Sequence, residues 1–152
     1  MLVTDLDIAF LREQIAGEDE VAQRAVADQI AAVGDLSGLG ALVHAAFVIA
    51  ARRHFAPAWT RAGVIQYVAH VRAMLAERPG ILSPSAAEDE LKIALGDRAG
   101  TRHQAGEIAR ARLLLLIALV VSLDLDDDGT SDLLDEARSA AEQVLADRIG
   151  TD

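Results

Sequence analysis

The sequence predicts an all-α fold: a single-domain helical bundle of six or seven helices around a buried helix at about residues 102–123. Three observations carry this. The hydrophobic 52% of the chain is mostly Ala, Leu, Val and Ile, and aromatics supply only 3%. Ala and Leu are strong helix formers, whereas an all-β domain draws on aromatic and β-branched residues. Apolar residues recur at three- and four-residue spacing, and Pro, Gly, Ser and Thr fall between those stretches where they start or stop helices. A chain of 152 residues buries a real core. No connection is long enough for a domain linker, so one helical domain over 1–152 is expected.

Taken in order, Ile8, Leu11, Ile15, Ala22, Val26, Ile30 and Val33 form an amphipathic stripe over residues 5–33. Gly17 and the acids Glu18, Asp19 and Glu20 allow a break, so one helix or two fit equally. After Gly34-Asp35, residues 36–55 are almost wholly apolar until Arg52, Arg53 and His54, which reads as a buried helix with a basic end. Thr60 is positioned as N-cap of a helix to about Arg78, with Val64, Tyr67, Val68, Val71 and Leu75 inward. Pro79-Gly80 stops it. Ser83-Pro84 starts the next as N-cap and first helical residue, its acids Glu88, Asp89 and Glu90 near the positive end of the dipole, and Gly96 ends it. Residues 102–123 follow, apolar on every side in their second half, which implies enclosure by neighbouring helices or by a second subunit. The last helix is expected from about Ser131 to Arg148.

Charge and missing motifs remove several functions. The net charge is −10, distributed as −6 over residues 1–35, +4 over 36–78 and −8 over 79–152. An acidic chain is poorly suited to nucleic acid, because phosphate attraction dominates that affinity. The absence of cysteine excludes disulfides, thiolate metal sites and cysteine nucleophiles. Asp5 and Asp7 stand where a signal peptide needs positive charge. The longest apolar run, Leu113 to Val121, is about half the roughly twenty residues a membrane span requires. A cytoplasmic protein with neither nucleic-acid nor membrane partners is expected. One lysine among 14 cationic side chains suggests a GC-rich bacterial genome. No nucleotide-binding, nucleophile-elbow or di-iron pattern occurs.

Two stretches offer sites. In the basic segment Arg52, Arg53, Arg61 and His70 surround one helix–turn–helix connection, and guanidinium forks there would grip phosphate or carboxylate. The other reading is that Arg52 and Arg53 complement a helix C-terminus and pair with the acidic N-terminal segment. His103 and Glu107 stand one helical turn apart, too few ligands for a metal by themselves.

The second stretch is Asp124-Leu-Asp-Asp-Asp-Gly-Thr-Ser-Asp-Leu-Leu-Asp135. It sets Asp124, Asp126 and Asp128 at positions 1, 3 and 5, Gly129 at 6, Thr130 at 7, Asp132 at 9 and Asp135 at 12. In this it resembles an EF-hand calcium loop, which takes oxygen ligands at those positions and turns sharply at the glycine. The resemblance implies one calcium ion as cofactor, held by those six residues. It departs from the family at Ser131, normally apolar, and at Asp135, normally Glu. The alternative needs no cofactor: an acidic turn in which Ser131 or Asp132 caps the last helix.

The leading functional reading is a non-enzymatic protein acting through contact with another protein or with itself as a homodimer. Its motives are the all-round apolar stretch at 113–121 and the uneven charge. A calcium-binding protein using residues 124–135 is the alternative, and an enzyme or anion-binding protein with a pocket near residues 52–72 is the third.

Overall fold

The computed structural model describes residues 3–16, 38–75, 79–97 and 102–150, and everything below concerns these. They form six α-helices: α1 (Asp5–Ala16), α2 (Gly38–Phe55), α3 (Arg61–Met74), α4 (Pro84–Ala94), α5 (Ala105–Ser122) and α6 (Asp127–Gly150), with a short 3₁₀ turn at Pro79–Ile81. There is no strand among the described residues. The predicted helical bundle is what the chain forms.

Each helix begins where local chemistry satisfies its free N–H groups. Thr4 and Asp7 form a reciprocal capping box on α1: the Asp7 amide donates to Thr4 Oγ1 at 3.1 Å and the Thr4 amide to Asp7 Oδ2 at 2.9 Å. Val3 and Ile8, on either side of the box, are both buried. Thr60 caps α3 by accepting from the Gly63 amide at 3.0 Å, and Ser83 caps α4 by accepting from Ala86 at 3.3 Å. At the end of α4, Gly96 takes φ +96°; its amide donates to the Ile93 carbonyl at 3.0 Å and that of Asp97 to Lys92 at 2.8 Å. This is a Schellman ending with glycine in its left-handed position.

The core is built from small and aliphatic side chains. α2 buries Leu42, Val43, Ala46, Phe47, Ala50 and Ala51 along one broad stripe. It packs most extensively on α6 and α5, and also touches α1 and α4. α5 packs on α2, α4 and α1, burying Leu113, Leu115, Leu116, Ala118, Leu119 and Val120. The apolar stretch is therefore largely enclosed by helices of its own chain, with Leu114 and Ile117 half-buried and Val121 63% exposed. α3 lies at the periphery against α4 and the 3₁₀ turn. Its inward residues Val64, Tyr67, Val68 and Val71 are buried as the periodicity requires.

The boundaries differ from the sequence expectation in four places, the first being α3, which ends at Met74 with Leu75 as its C-cap, short of the Arg78 expected. The last helix begins at Asp127, four residues before Ser131, because Asp126 supplies a cap closer to the preceding helix. α5 begins at Ala105 instead of 102. α1 covers 5–16, and the rest of the stripe, including the choice between one helix and two, lies outside the described residues.

Gly96→Ala is expected to destabilise the fold by about 1–2 kcal/mol in urea unfolding, because a Cβ at positive φ is strained. Open space surrounds that position, so Gly96→Asn, which tolerates the left-handed region, is expected to cost much less.

Candidate functional site

The acidic stretch 122–136 joins α5 to α6, and its hydrogen bonds show how it is spent. Asp124 has φ +53°. Its amide donates to the Val121 carbonyl at 3.0 Å, and the Leu125 amide to the Val120 carbonyl at 3.2 Å. That is a second Schellman ending, with an aspartate where glycine is usual. Two residues on, Asp126 Oδ1 accepts from the Gly129 amide at 2.7 Å and the Asp126 carbonyl accepts from Thr130 at 2.8 Å. Asp126 is thus the N-cap of α6, with Asp127 and Asp128 in the first turn, where the helix dipole favours anions. A Cβ on Gly129 would come within 3.1 Å of Asp126 Oδ1 and 3.2 Å of Leu125. The glycine is accounted for by the tight approach of the cap.

This geometry bears directly on the calcium resemblance. An EF-hand loop wraps twelve residues around one point, but Asp127–Gly150 is helix and contains nine of those twelve. Asp124 closes α5 and Asp126 caps α6, while Asp128, Thr130, Asp132 and Asp135 stand on α6. Thr130 is buried, whereas the five aspartates are exposed. The six residues do not form the loop. Among the described residues no group of three or more His, Asp or Glu side chains is arranged to hold a metal. The cap itself falls on Asp126, five or six residues before the Ser131 or Asp132 expected from sequence.

The basic segment is likewise divided among partners. Arg52 Nε donates to the Ala94 carbonyl at the end of α4, 3.0 Å away, and Arg61 lies 3.7 Å from Asp97 just beyond it. Both cations meet the negative end of α4. Arg53 pairs with Glu136 on α6, and most acids of the N-terminal segment expected to pair with it lie outside the described residues. His70 is exposed on α3, its ring centroid 6.5 Å from that of Tyr67. These four residues thus point to three separate environments and make no common anion pocket. A related aromatic contact is closer: His54 packs 4.8 Å from both Phe55 and Tyr67, and Tyr67 Oη shares a hydrogen bond with Ser122 Oγ at 3.0 Å. Burial lowers the His54 pKa and raises that of Tyr67.

Sequence reasoning passed over the most enclosed charges among the described residues. Asp89 and Glu90, read as dipole-facing acids, are buried at 9% and 4% exposure. Asp89 Oδ2 lies 2.7 Å from His103 Nε2, and Lys92 Nζ is 3.9 Å from its other oxygen. Glu90 takes the Arg112 Nε–H at 3.3 Å. Glu107 lies 3.9 Å from His103 Nδ1. The two carboxylates address opposite nitrogens of one ring, so the His103 and Glu107 pair does not become a metal site by gaining Asp89. The cluster instead pins α4 to α5 through charges that are costly to leave alone. Its signal in the sequence was present but non-local, since the partners lie 14 and 22 residues apart.

Asp124→Gly is expected to stabilise the protein by about 1 kcal/mol, because glycine relieves the left-handed position; thermal and urea unfolding check this. Calcium at millimolar concentration is expected to give no binding heat and no change in helical circular dichroism, since α6 would have to unwind to build the loop. On acidification below about pH 6.5, His54 is expected to reduce stability. Its folded pKa lies below the unfolded one, so its contribution is complete above the unfolded value and fades as pH falls. The pH-dependent part should disappear in His54→Gln. No protein-family model, curated protein or solved structure matches the chain.

Proposed function

We propose that the chain is a non-enzymatic cytoplasmic protein that acts through protein–protein contact, and that a second copy docks on the outward face of α3. The observation that carries this reading is the composition of that face. Ala62, Ile65, Ala69, Ala73 and Met74 are all exposed, with Ile65 at 49% and Met74 at 54%. Of these, Ala62, Ile65, Ala69 and Ala73 recur at the helical period on the side of α3 opposite Val64, Val68 and Val71, while Met74 is exposed in the last turn, round the helix from Ile65. An exposed strip of apolar side chains along one face calls for a partner more than scattered ones do.

Charge selects the occupant. The chain carries −10, yet α3 contains no acid, only Arg61 and Arg72. Two acidic molecules meet with least repulsion through an acid-free face. In an antiparallel pairing about a twofold axis, Arg61 of each copy lies toward the Met74 end of the other. α5 no longer supplies a motive for pairing, because its own chain covers it. A 14-residue helix is about 21 Å long and presents a strip about 10 Å wide. That is a fraction of the ~800 Å² per partner of a typical stable complex. The contact is therefore weak and concentration-dependent.

Sedimentation velocity between micromolar and millimolar protein should show the 16.1 kDa chain passing toward twice that mass. Ile65→Glu and Ala69→Glu should hold it monomeric with an unchanged melting temperature, since both side chains are solvent-facing. A single monomeric species throughout, or undiminished pairing in the double variant, would overturn the proposal.

A further inference from the structure

We infer, resting on the α3 pairing proposed for this chain, that its association is switched by ionic strength: low salt holds two copies apart, and physiological salt lets α3 meet α3. Two observations carry this. The first is the total charge. Each copy carries −10, with 24 acids against 14 cationic side chains. The second is the composition of the meeting face. α3 holds Arg61, His70 and Arg72 and no acid. A twofold contact sets a patch against itself, so α3 brings no carboxylate to the cations of its mate. The paired helices share no ion pair for salt to break.

Attraction and repulsion therefore differ in reach. The apolar strip of Ala62, Ile65, Ala69 and Ala73 acts only at contact, and screening leaves it untouched. The charges act at a distance. Asp128, Asp132, Asp135 and Glu136 are exposed on α6, which packs on α2 and α1, whereas α3 lies against α4. These acids lie beyond the contact, yet they still repel those of the other copy. At a salt concentration of about 0.01 M the screening length is about 30 Å, on the scale of the whole molecule, and that repulsion crosses the pair. At about 0.15 M it shrinks to about 8 Å, and the remote acids fall silent. The cations at the face follow the same direction. Arg61, its side chain 76% exposed, meets only like charge on the partner's α3, and salt weakens that repulsion too. An interface held by ion pairs would behave in the opposite way, loosening as salt rises.

The test is sedimentation of the full chain at one protein concentration and neutral pH, in sodium chloride from about 0.01 to about 0.15 M. The dimer dissociation constant is expected to fall about tenfold or more over that range. A charge variant separates screening from a salt effect on the apolar strip. Asp132→Asn with Asp135→Asn removes two of the ten net charges of each copy. Coulomb energy scales with the product of the charges, so about a third of the repulsion goes with them. This variant should pair several-fold more tightly than wild type at the low-salt end, match it at the high-salt end, and keep the same helical circular dichroism. Pairing that stays constant or weakens as salt rises would overturn the switch and leave the α3 contact standing. A folded charge variant no tighter than wild type at low salt would overturn it as well. A monomer at every salt concentration would overturn both the switch and the pairing.

Discussion

Everything in this bundle depends on how closely α2 approaches α5 and α6. With aromatics at 3%, large rings are scarce as core filler. Phe47 is the only aromatic among the largest fully buried side chains of the described residues. The space between helices must be closed by bringing backbones together. Ala46, Ala50 and Ala51 on α2, Ala111 and Ala118 on α5, and Ala137 and Ala141 on α6 are all buried. Interaxial distance is set by the side chains at the contact, and alanine permits the short end of the range. Leucines then fill the remaining volume: Leu113, Leu115, Leu116, Leu119, Leu133 and Leu134 are all at 1% exposure or less. Polar clamps sit outside this centre. Asp89, Glu90, His103 and Arg112 fasten α4 to α5, and Arg138 ties the first helix to the last through Asp5 at 2.7 Å and the Val3 carbonyl at 3.0 Å.

The acidic stretch is where chemistry and appearance diverge most. Its aspartates solve two adjacent backbone problems. One ends α5 and the other starts α6, with a single residue between them. Asp, Asn and Gly serve both tasks, so an Asp-rich run with one glycine arises from capping alone. A calcium loop needs the same residue types at similar spacing for a different reason. The hydrogen bonds distinguish the two: Asp126 is occupied with the Gly129 amide, and the chain is helical from the next residue. What is left for function is narrower. Asp124, Asp127, Thr130, Ser131 and Arg12 border a groove whose apolar side is Ile15, Val120, Val121 and Leu125.

The features legible in the sequence were those determined within a few residues. Thr60, Ser83-Pro84 and Gly96 act on their own turns, and their roles follow from side-chain and backbone preferences that do not depend on the rest of the fold. The inward face of α3 was legible because burial repeats with the helix. Partnerships across the fold were not. Glu90 reads as a dipole-facing acid until Arg112 is known to stand opposite, and Arg53 gives no local sign that Glu136 lies beside it. The outward stripe of Ala62, Ile65, Ala69 and Ala73 was hidden for another reason. Alanines on a helix fit both a core and a surface, and only the position of α3 at the edge decides. The groove at Val121 could not be read at all, since it needs α1, α5 and α6 together.

The central claim is that the apolar helix α5 is enclosed by its own chain and that association is a separate, weaker event. Native-state hydrogen exchange of the Leu113–Val120 amides across a hundredfold dilution tests this most directly. Those amides are expected to be among the slowest to exchange, with rates that do not change on dilution, because global unfolding of one chain is what exposes them. Protection that falls with dilution would contradict the account. It would mean that a second subunit, not α2 and α4, covers the centre of the fold.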